Sequence, residues 1–196
     1  DLPGTLAGFH LRFPGVELSL RSGLIAGLLS ELDAGTVDLV IGPVHDDQAQ
    51  RFSARVLVRE KMMLIVPPGH RLDRAGPLPF ADLRDEPFVC LPASSGVRAS
   101  LDEAAGRAGF TARVPFETHS PASVRELVGA GLGVALQARS AAVTPGPAVV
   151  VRTLEPPPAH PPIGLIRRRD QRLSAAARAF RAVAYSPGGH VVDTRG

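Results

Sequence analysis

The stretch Ser120–Ser140, with the sequence SPASVRELVGAGLGVALQARS, decides the fold that we predict for this chain. A helix is expected to begin there because Ser120 is a favourable N-cap and Pro121 suits the first helical position. Apolar residues then recur at helical spacing, at Val124, Leu127 and Val128. The pattern predicts a helix with one buried face.

Three closely spaced glycines, Gly129, Gly131 and Gly133, are predicted to end this helix. The short apolar run Val134–Leu136 that follows is typical of a buried strand. A dinucleotide-binding fingerprint has a strand, then glycines, then a helix, and here the order is reversed. The glycines therefore predict close packing of a helix against a strand and argue against a nucleotide site.

The composition favours helices packed on a mostly parallel sheet. Apolar residues make up 44% of the chain but aromatic residues only 5%, so the core must be built from Leu, Val, Ala and Ile. A length of 196 residues fits one ordinary domain or two small lobes. The longest apolar runs, such as Val37–Ile41 and Met62–Val66, are too short to span a bilayer, so no membrane partner is expected.

Basic residues and the single cysteine suggest little chemistry of their own. The net charge is only +3, and the densest basic cluster is Arg167–Arg169 with Arg172. We expect that cluster to be a solvated strand end, with a phosphate-binding patch as the alternative. Cys90 stands between apolar neighbours, which predicts a buried thiol and not a redox sensor or a disulfide.

The rest of the chain alternates predicted helices and strands, an α/β pattern. In the first part these are a helix over Leu2–Phe13, a strand over Val16–Leu20, a helix over Leu24–Leu32 led by Ser22–Gly23, and strands over Val37–Ile41, Val56–Val58 and Met62–Val66. In the later part they are a helical turn over Phe80–Leu83, strands over Phe88–Leu91, Arg113–Phe116, Ala148–Val151 and Ile163–Arg167, and helices over Val97–Ala108 and Ala175–Tyr185. Residues 44–55 are predicted to be a surface loop without a metal site, and Ser186–Gly196 a frayed tail.

Two turn-rich segments divide the predicted elements into two lobes. The composition changes to turn-forming residues after Pro67, and a second such segment is the proline run from Pro156 to Pro162. We therefore predict lobe I over residues 1–66 plus 163–196 and lobe II over residues 67–162. Because the chain crosses out and returns, the expected arrangement is that of a hinged ligand binder with a cleft between two similar lobes.

These pieces together resemble the effector-binding domain of LysR-type transcriptional regulators. The resemblance covers residues 2–185 in order and is carried by Phe13–Leu18, the Gly23-led helix ending in Leu32–Gly35, Val37–Gly42, Met62–Leu72, Asp82–Val89 and Leu127–Leu136. Three features depart from the family pattern. The family's first strand and its DNA-binding winged helix-turn-helix with linker helix would both precede Asp1, and Gln137–Ala138 stands where the family usually has Leu-Pro after the glycine-rich strand.

The resemblance implies two Rossmann-like lobes joined by two crossover strands, a fold like that of type 2 periplasmic binding proteins. It also implies a cytoplasmic protein that needs no cofactor and senses a small-molecule effector. Homodimers through the regulatory domains and tetramers of the full-length protein are expected. DNA would be bound only by a winged helix-turn-helix domain that this chain does not contain.

Helix starts that follow strands are the expected effector site, because unpaired N–H groups and the helix dipole attract anions there. A carboxylate on the effector would suit such a site, with Arg98 as a further donor. His119 would supply a donor or a proton-sensitive contact, with a plain surface histidine as the alternative. Together with the resemblance, which implies the pocket walls, this gives as candidate residues Ser22, Gly23, Leu24, Ile25, Gly42 and Pro43 in lobe I, and Ser94, Ser95, Gly96, Val97, Arg98, His119 and Ser120 in lobe II. For each serine, capping of its own helix is the competing interpretation, and Leu24 and Ile25 would either enter the helix core or make the pocket apolar.

No catalytic constellation is found: the six histidines are scattered and no metalloprotease or nucleophile-elbow motif occurs. We therefore do not expect this chain to be an enzyme. The alternative function is a free-standing solute-binding protein of a transport system, which shares the two-lobed architecture. A secretion signal upstream would favour transport, whereas a helix-turn-helix there would favour the regulator.

Overall fold

The computed structural model describes residues 2–185, apart from the side chains of Asp46 and Asp47, so the predicted tail at 186–196 lies outside the described residues. Its helices are α1 (Leu2–Arg12), α2 (Ile25–Asp33), α3 (Gly96–Arg107), α4 (Pro121–Gly129), α5 (Arg139–Ala142) and α6 (Ala175–Ala184), with 3₁₀ helices at Asp46–Gln50 and Phe80–Leu83. Its strands are β1 (Val40–Pro43), β2 (Phe52–Val58), β3 (Met62–Val66), β4 (Leu78–Pro79), β5 (Pro87–Cys90), β6 (Arg113–Glu117), β7 (Ala135–Ala138), β8 (Val150–Arg152), β9 (Leu154–Glu155) and β10 (Ile163–Arg168). Within the described residues, no helix is both long and apolar enough to cross a membrane.

The chain forms two compact units. The first contains Asp1–Arg59 and Pro162–Gly196, and the second contains Glu60–Pro161. The predicted lobe boundary after Val66 is wrong, because β3 pairs with β7 and β8, which both belong to the second unit. The second boundary falls before Pro162 where the prediction placed it after that residue.

The first unit is built on a three-stranded antiparallel sheet in the order β1-β10-β2. Its core joins Leu32 of α2 to Val40, Phe52 and Ile166, one from each strand. Beside the sheet, Phe9 of α1 packs edge-on against Phe180 of α6 with ring centroids 5.3 Å apart. The chain's last strand thus lies in the middle of a sheet whose other strands come from its first third.

Four predictions for the first unit are corrected. Val16–Leu20 is not a strand: it pairs with none of the described strands, and Leu20 is 67% exposed, so its apolar alternation has no core to face. The strand predicted at Val37–Ile41 runs instead as β1, and β2 extends back into the predicted loop because it pairs with β10 along its whole length. The parallel winding expected here is replaced by antiparallel pairing throughout the described sheet.

The second unit contains a sheet buried on both faces. β5 pairs with β6 in parallel, β3 pairs antiparallel with β7 and β8, and a parallel bridge between Phe88 and Val134 joins the two groups. Successive residues of a strand point to opposite faces. Accordingly Leu64 belongs to a core cluster with Leu101 of α3, whereas Ile65 belongs to a second cluster with Val128 of α4.

The stretch Ser120–Ser140 folds largely as predicted. Val124 and Val128 of α4 are buried, and the chain turns through Gly131 at φ +83° before it enters the sheet at Val134. Gly129 is still helical, so the turn falls at the later two glycines. The strand continues through Gln137 and Ala138 as part of β7, so the departure from the family pattern lies inside the strand. The remaining predicted elements of the second unit are found within about two residues of their predicted bounds.

Candidate functional site

Helix α3 begins at a capped and partly buried N-terminus. The hydroxyl oxygen of Ser95 accepts a hydrogen bond from the N–H group of Arg98 at 3.1 Å, and Ser95 is only 8% exposed. Ser94, one residue earlier, is exposed. The cap satisfies one of the unpaired N–H groups of the first turn, so the others and the positive end of the helix dipole stay available to an anion.

Helix α4 begins in the same way. The hydroxyl oxygen of Ser120 accepts from the N–H group of Ser123 at 3.5 Å, a longer bond than that at Ser95, and Pro121 occupies the first turn. His119 is exposed immediately before the cap. The cap predicted at Ser120 is therefore confirmed, and Ser95 also caps its own helix, which was the competing interpretation for that residue. Each serine thus has a structural role whether or not it touches a ligand.

Parallel pairing of β5 with β6 brings the two helix starts to one edge of the sheet. Cys90 at the end of β5 pairs with Glu117 at the end of β6, and the N–H group of Thr118 donates to the carbonyl oxygen of Cys90 at 3.1 Å. Each strand leads directly to its helix, so both N-termini lie beyond the same carboxyl edge. This is the place where α/β sheets bind ligands.

Arg98 lies at this edge within an ion-pair cluster. Its Nε atom is 3.1 Å from both carboxylate oxygens of Asp102, and its Nη1 atom is 3.7 Å from Oε2 of Glu117. The Arg98 side chain is 21% exposed, whereas those of Asp102 and Glu117 are about half exposed. The two carboxylates hold the guanidinium in place, and they also compete with any anion that approaches it. Neither carboxylate was predicted from the sequence to lie at the site, although Asp102 stands four residues after Arg98 on a predicted helix.

Cys90 lies under this edge as a structural thiol. It is 2% exposed, and burial raises its pKa to about 11. A thiol with so high a pKa is almost fully protonated at neutral pH and is a poor nucleophile. Within the described residues no cluster of three or more His, Cys, Asp or Glu side chains is suited to hold a metal ion.

Gln137 is a buried polar residue that the sequence analysis did not propose for the site. Its Nε2 atom donates to the carbonyl oxygen of Pro121 at 2.7 Å and so ties β7 to the first turn of α4. Its Oε1 atom is buried and finds no hydrogen-bond partner among the described groups. The sequence signal that could have identified Gln137 is that it is the single amide side chain in an otherwise apolar strand.

The candidate residues of the first unit form a different pattern. Helix α2 has Leu24 as its N-cap residue without a side-chain cap, so the competing interpretation that Ser22 caps this helix does not hold, and Ser22 and Gly23 are exposed. Ile25 packs on the core, which agrees with the first alternative raised for this pair. Leu24 is 41% exposed and does not enter the core. Gly42 of β1 is buried against Ile25, and Pro43 ends the strand.

Comparisons with known proteins agree on one family. The family model for the LysR substrate binding domain matches residues 1–185. The transcriptional dual regulator GltC of Bacillus subtilis (strain 168) is 28% identical over 181 residues, which are 91% of this chain and 60% of GltC. The chain therefore spans about 60% of the length of this relative.

Solved structures share this fold. The C-terminal domain of a probable LysR family transcriptional regulator from Rhodococcus sp. RHA1 is 29% identical with a TM-score of 0.81, covering 93% of this chain and 91% of that one. The regulatory domain of Synechocystis PCC6803 CcmR, in complex with 2-PG, has a TM-score of 0.85 at 19% identity and covers 93% of this chain and 88% of that one. The relatives found are transcriptional regulators, which favours a regulator over a transport protein. The chain belongs to the family of LysR substrate binding domains, with their α/β fold of the type 2 periplasmic-binding-protein kind.

Proposed function

We propose that this chain is the effector-sensing part of a LysR-type regulator and binds a small effector bearing a carboxylate where α3 and α4 begin. The observation that carries the proposal is the parallel pairing of β5 with β6, which gathers the two helix N-termini at one edge. Each N-terminus offers N–H groups that helical hydrogen bonding leaves free. A carboxylate has two oxygens, so it suits a site that combines such N–H groups with the guanidinium of Arg98.

The net charge at the carboxyl edge of β5 and β6 limits which anions can bind there. Arg98 faces Asp102 and Glu117, so the three side chains together carry a net charge of −1 at neutral pH. The binding energy for an anion must therefore come mainly from directed hydrogen bonds and not from a positive field. We infer that the effector is a monoanion with a polar or apolar body and not a strongly charged polyanion.

The first experiment tests whether Ser95 contacts the effector. Calorimetric titration of a panel of small carboxylates identifies a binder, and Ser95→Ala should then weaken it about tenfold, as expected for one lost hydrogen bond to a charged group. Ser174→Ala is the matched control: Ser174 caps α6 in the first unit with the same 3.1 Å bond, so it loses a similar capping energy. Equal affinity in Ser95→Ala and the control would remove Ser95 from the site.

Arg98 is tested separately. Arg98→Ala should weaken the same carboxylate, whereas Arg107→Ala, which removes an exposed arginine paired with Glu103 near the end of the same helix, should not. Circular dichroism of both variants checks that α3 still forms. Unchanged affinity in Arg98→Ala with the fold intact would contradict its role.

At the level of the whole protein, we propose that effector binding alters DNA binding by an upstream helix-turn-helix domain, in a homodimer that assembles through the regulatory domains into tetramers. The regulator relatives support this, and the coupling free energy between effector and DNA would typically be ~1–3 kcal/mol. Light scattering of the full-length protein and operator titrations with and without effector test it. A monomer whose operator affinity is unaffected by a bound effector would contradict it.

The residues Ser22–Ile25 with Gly42 and Pro43 stay predictions for effector binding, as does His119. We propose binding without turnover, because the relatives are regulators. Recovery of the bound compound unchanged after long incubation is the expected result. A chemically altered product would instead favour an enzyme.

A further inference from the structure

A surface cavity of about 300 Å³ lies on the first unit, among residues that the proposed effector site does not use. Its wall follows from strand and helix geometry. On β2, Ser53 and Arg55 are two apart and share a face, and they pair with Arg167 and Leu165 of β10, which also share a face. Arg181 of α6 and Tyr185, which caps the C-terminal end of that helix, are four apart and lie on one side of the helix end. The sheet and the helix thus bring three arginines to one cavity.

Among the described residues that line this cavity, the positive charge is not balanced. These residues include three arginines and no acidic side chain. Elsewhere in the described chain, seven arginines form salt bridges, but those pairs do not include Arg55, Arg167 or Arg181. Like charges held together in a half-buried cavity repel one another, and a bound anion relieves that repulsion.

Two of the arginines are oriented by neighbouring groups. The Arg55 guanidinium lies over the Tyr185 ring, 4.2 Å from its centroid, and Nη1 of Arg167 donates to the carbonyl oxygen of Arg168 at 2.9 Å. These contacts use one face of the first guanidinium and one nitrogen of the second, so several of the five N–H donors of each stay available. Burial raises the pKa of Tyr185, against the effect of the three arginines, and its phenol is therefore protonated at neutral pH and able to donate a hydrogen bond.

We propose that this cavity is a second ligand site, which binds a small phosphate-type anion: inorganic phosphate or the phosphate group of a small metabolite. A tetrahedral dianion has enough acceptor oxygens for three guanidinium groups and a phenol, whereas a single carboxylate has only two. The negative end of the α6 dipole, about half a charge, offsets only a small part of the three positive charges. A cavity of this size admits a small molecule and excludes a nucleic-acid duplex. The proposal is independent of the effector site on the second unit.

The cavity contains its own spectroscopic probe. Tyr185 is the single tyrosine and the chain has no tryptophan, so intrinsic fluorescence reports this site alone. Titration of the full chain with inorganic phosphate at constant ionic strength should give a saturable fluorescence change and matching calorimetric heat. Arg181→Gln and Arg55→Gln should each weaken phosphate about tenfold or more. Arg107→Gln removes the same charge from an exposed ion pair in the second unit and should leave the affinity unchanged.

A second readout separates site binding from general charge screening. Bound phosphate neutralises the arginines and repels the phenolate, so it should raise the pKa of Tyr185, measured from the ultraviolet absorbance of tyrosinate. Sodium chloride at matched ionic strength should leave the pKa of Tyr185 unchanged. If chloride gives the same shift, or if Arg107→Gln weakens phosphate as much as Arg181→Gln, the site does not exist.

Three further experiments test the site without an arginine variant, in case such a variant fails to fold. Tyr185→Phe keeps the ring that Arg55 covers and removes only the hydroxyl group, so calorimetry should show weaker phosphate binding by the folded variant; unchanged affinity would remove the phenol from the site. If glycerol phosphate binds more tightly than inorganic phosphate, the natural ligand is the phosphate group of a metabolite. If inorganic phosphate binds more tightly, the natural ligand is free phosphate. Duplex DNA that displaces phosphate at equal phosphate concentration would overturn the small-molecule assignment.

Discussion

Gly133 is the residue of the stretch Ser120–Ser140 that tolerates a side chain least. A Cβ atom built there would lie 2.3 Å from the carbonyl oxygen of Pro87, and that oxygen accepts the hydrogen bond from the N–H group of Val134 at 2.9 Å. Neither backbone can move without breaking the bridge between β5 and β7. The close approach explains why glycine is required here.

We expect Gly133→Ala to lower the free energy of unfolding by about 2–3 kcal/mol or more, the range of overpacked cores. Urea denaturation followed by circular dichroism measures this. Gly106→Ala is the control, because a Cβ atom there meets no atom within 4 Å, and alanine in this last turn of α3 should raise the free energy of unfolding by at most about 0.5–1 kcal/mol. Equal effects of the two substitutions would contradict the clash with Pro87.

Cys90 gives a pH-dependent prediction at the same scale. Since its pKa is raised to about 11, alkylation by iodoacetamide at neutral pH should be far slower in the folded chain than in the chain unfolded in urea. The folded-state rate should rise about tenfold per pH unit until it levels off near pH 11, because only the thiolate reacts. Mass spectrometry of the alkylated fraction measures both rates. A folded-state rate that levels off near pH 8 would show an exposed and reactive thiol.

At the scale of single elements, local patterns predict structure well where the environment is uniform. Helix α4 was predictable because its cap, first proline and apolar spacing all agree, and β3 and β5 because a strand buried on both faces is a continuous apolar run. The strand predicted at Val16–Leu20 does not form, because alternation shows only that one face is apolar and not that a partner strand exists. The helix starts at Ser95 and Ser120 were predictable for the same local reasons, whereas the pairing of Arg98 with Glu117 depends on the register of β5 with β6 and is invisible in the sequence.

The end of β6 carries a prediction about the proposed effector site. Glu117 lies 3.7 Å from Nη1 of Arg98 and adds negative charge where the effector carboxylate would bind. Glu117→Gln should therefore strengthen binding of a carboxylate effector by a few-fold, a modest change because this pair is partly exposed. Glu103→Gln removes the same charge from a pair that does not involve Arg98 and should leave the affinity unchanged. Calorimetry at low salt measures both, and weaker binding by Glu117→Gln would place Glu117 among the groups that hold the ligand.

At the scale of the whole molecule, the two units differ in how the sequence encodes them. The second unit is one continuous segment, and the residues of its two core clusters all fall within it. The first unit is assembled from both ends of the chain, and its central strand β10 comes from the far end. A local reading of the sequence finds the turn-rich segments near the boundaries, but the assignment of β3 depends on its pairing with β7 and β8, about seventy or more residues away.

This difference predicts how the chain can be divided. A fragment of residues 60–161 should fold alone and unfold cooperatively with a free energy of about 5 kcal/mol or more, because it keeps every member of its core clusters. A fragment of residues 1–59 should stay unfolded, since without β10 both β1 and β2 lose their only pairing partner among the described strands. Joining residues 1–59 to residues 162–196 through a short glycine-containing loop should restore the first unit, because Val58 and Ile163 are paired across the strands that the loop would connect. Circular dichroism and amide exchange of the three fragments test this. A folded 1–59 fragment, or an unfolded 60–161 fragment, would show that the stability of the two units is not divided as their cores are.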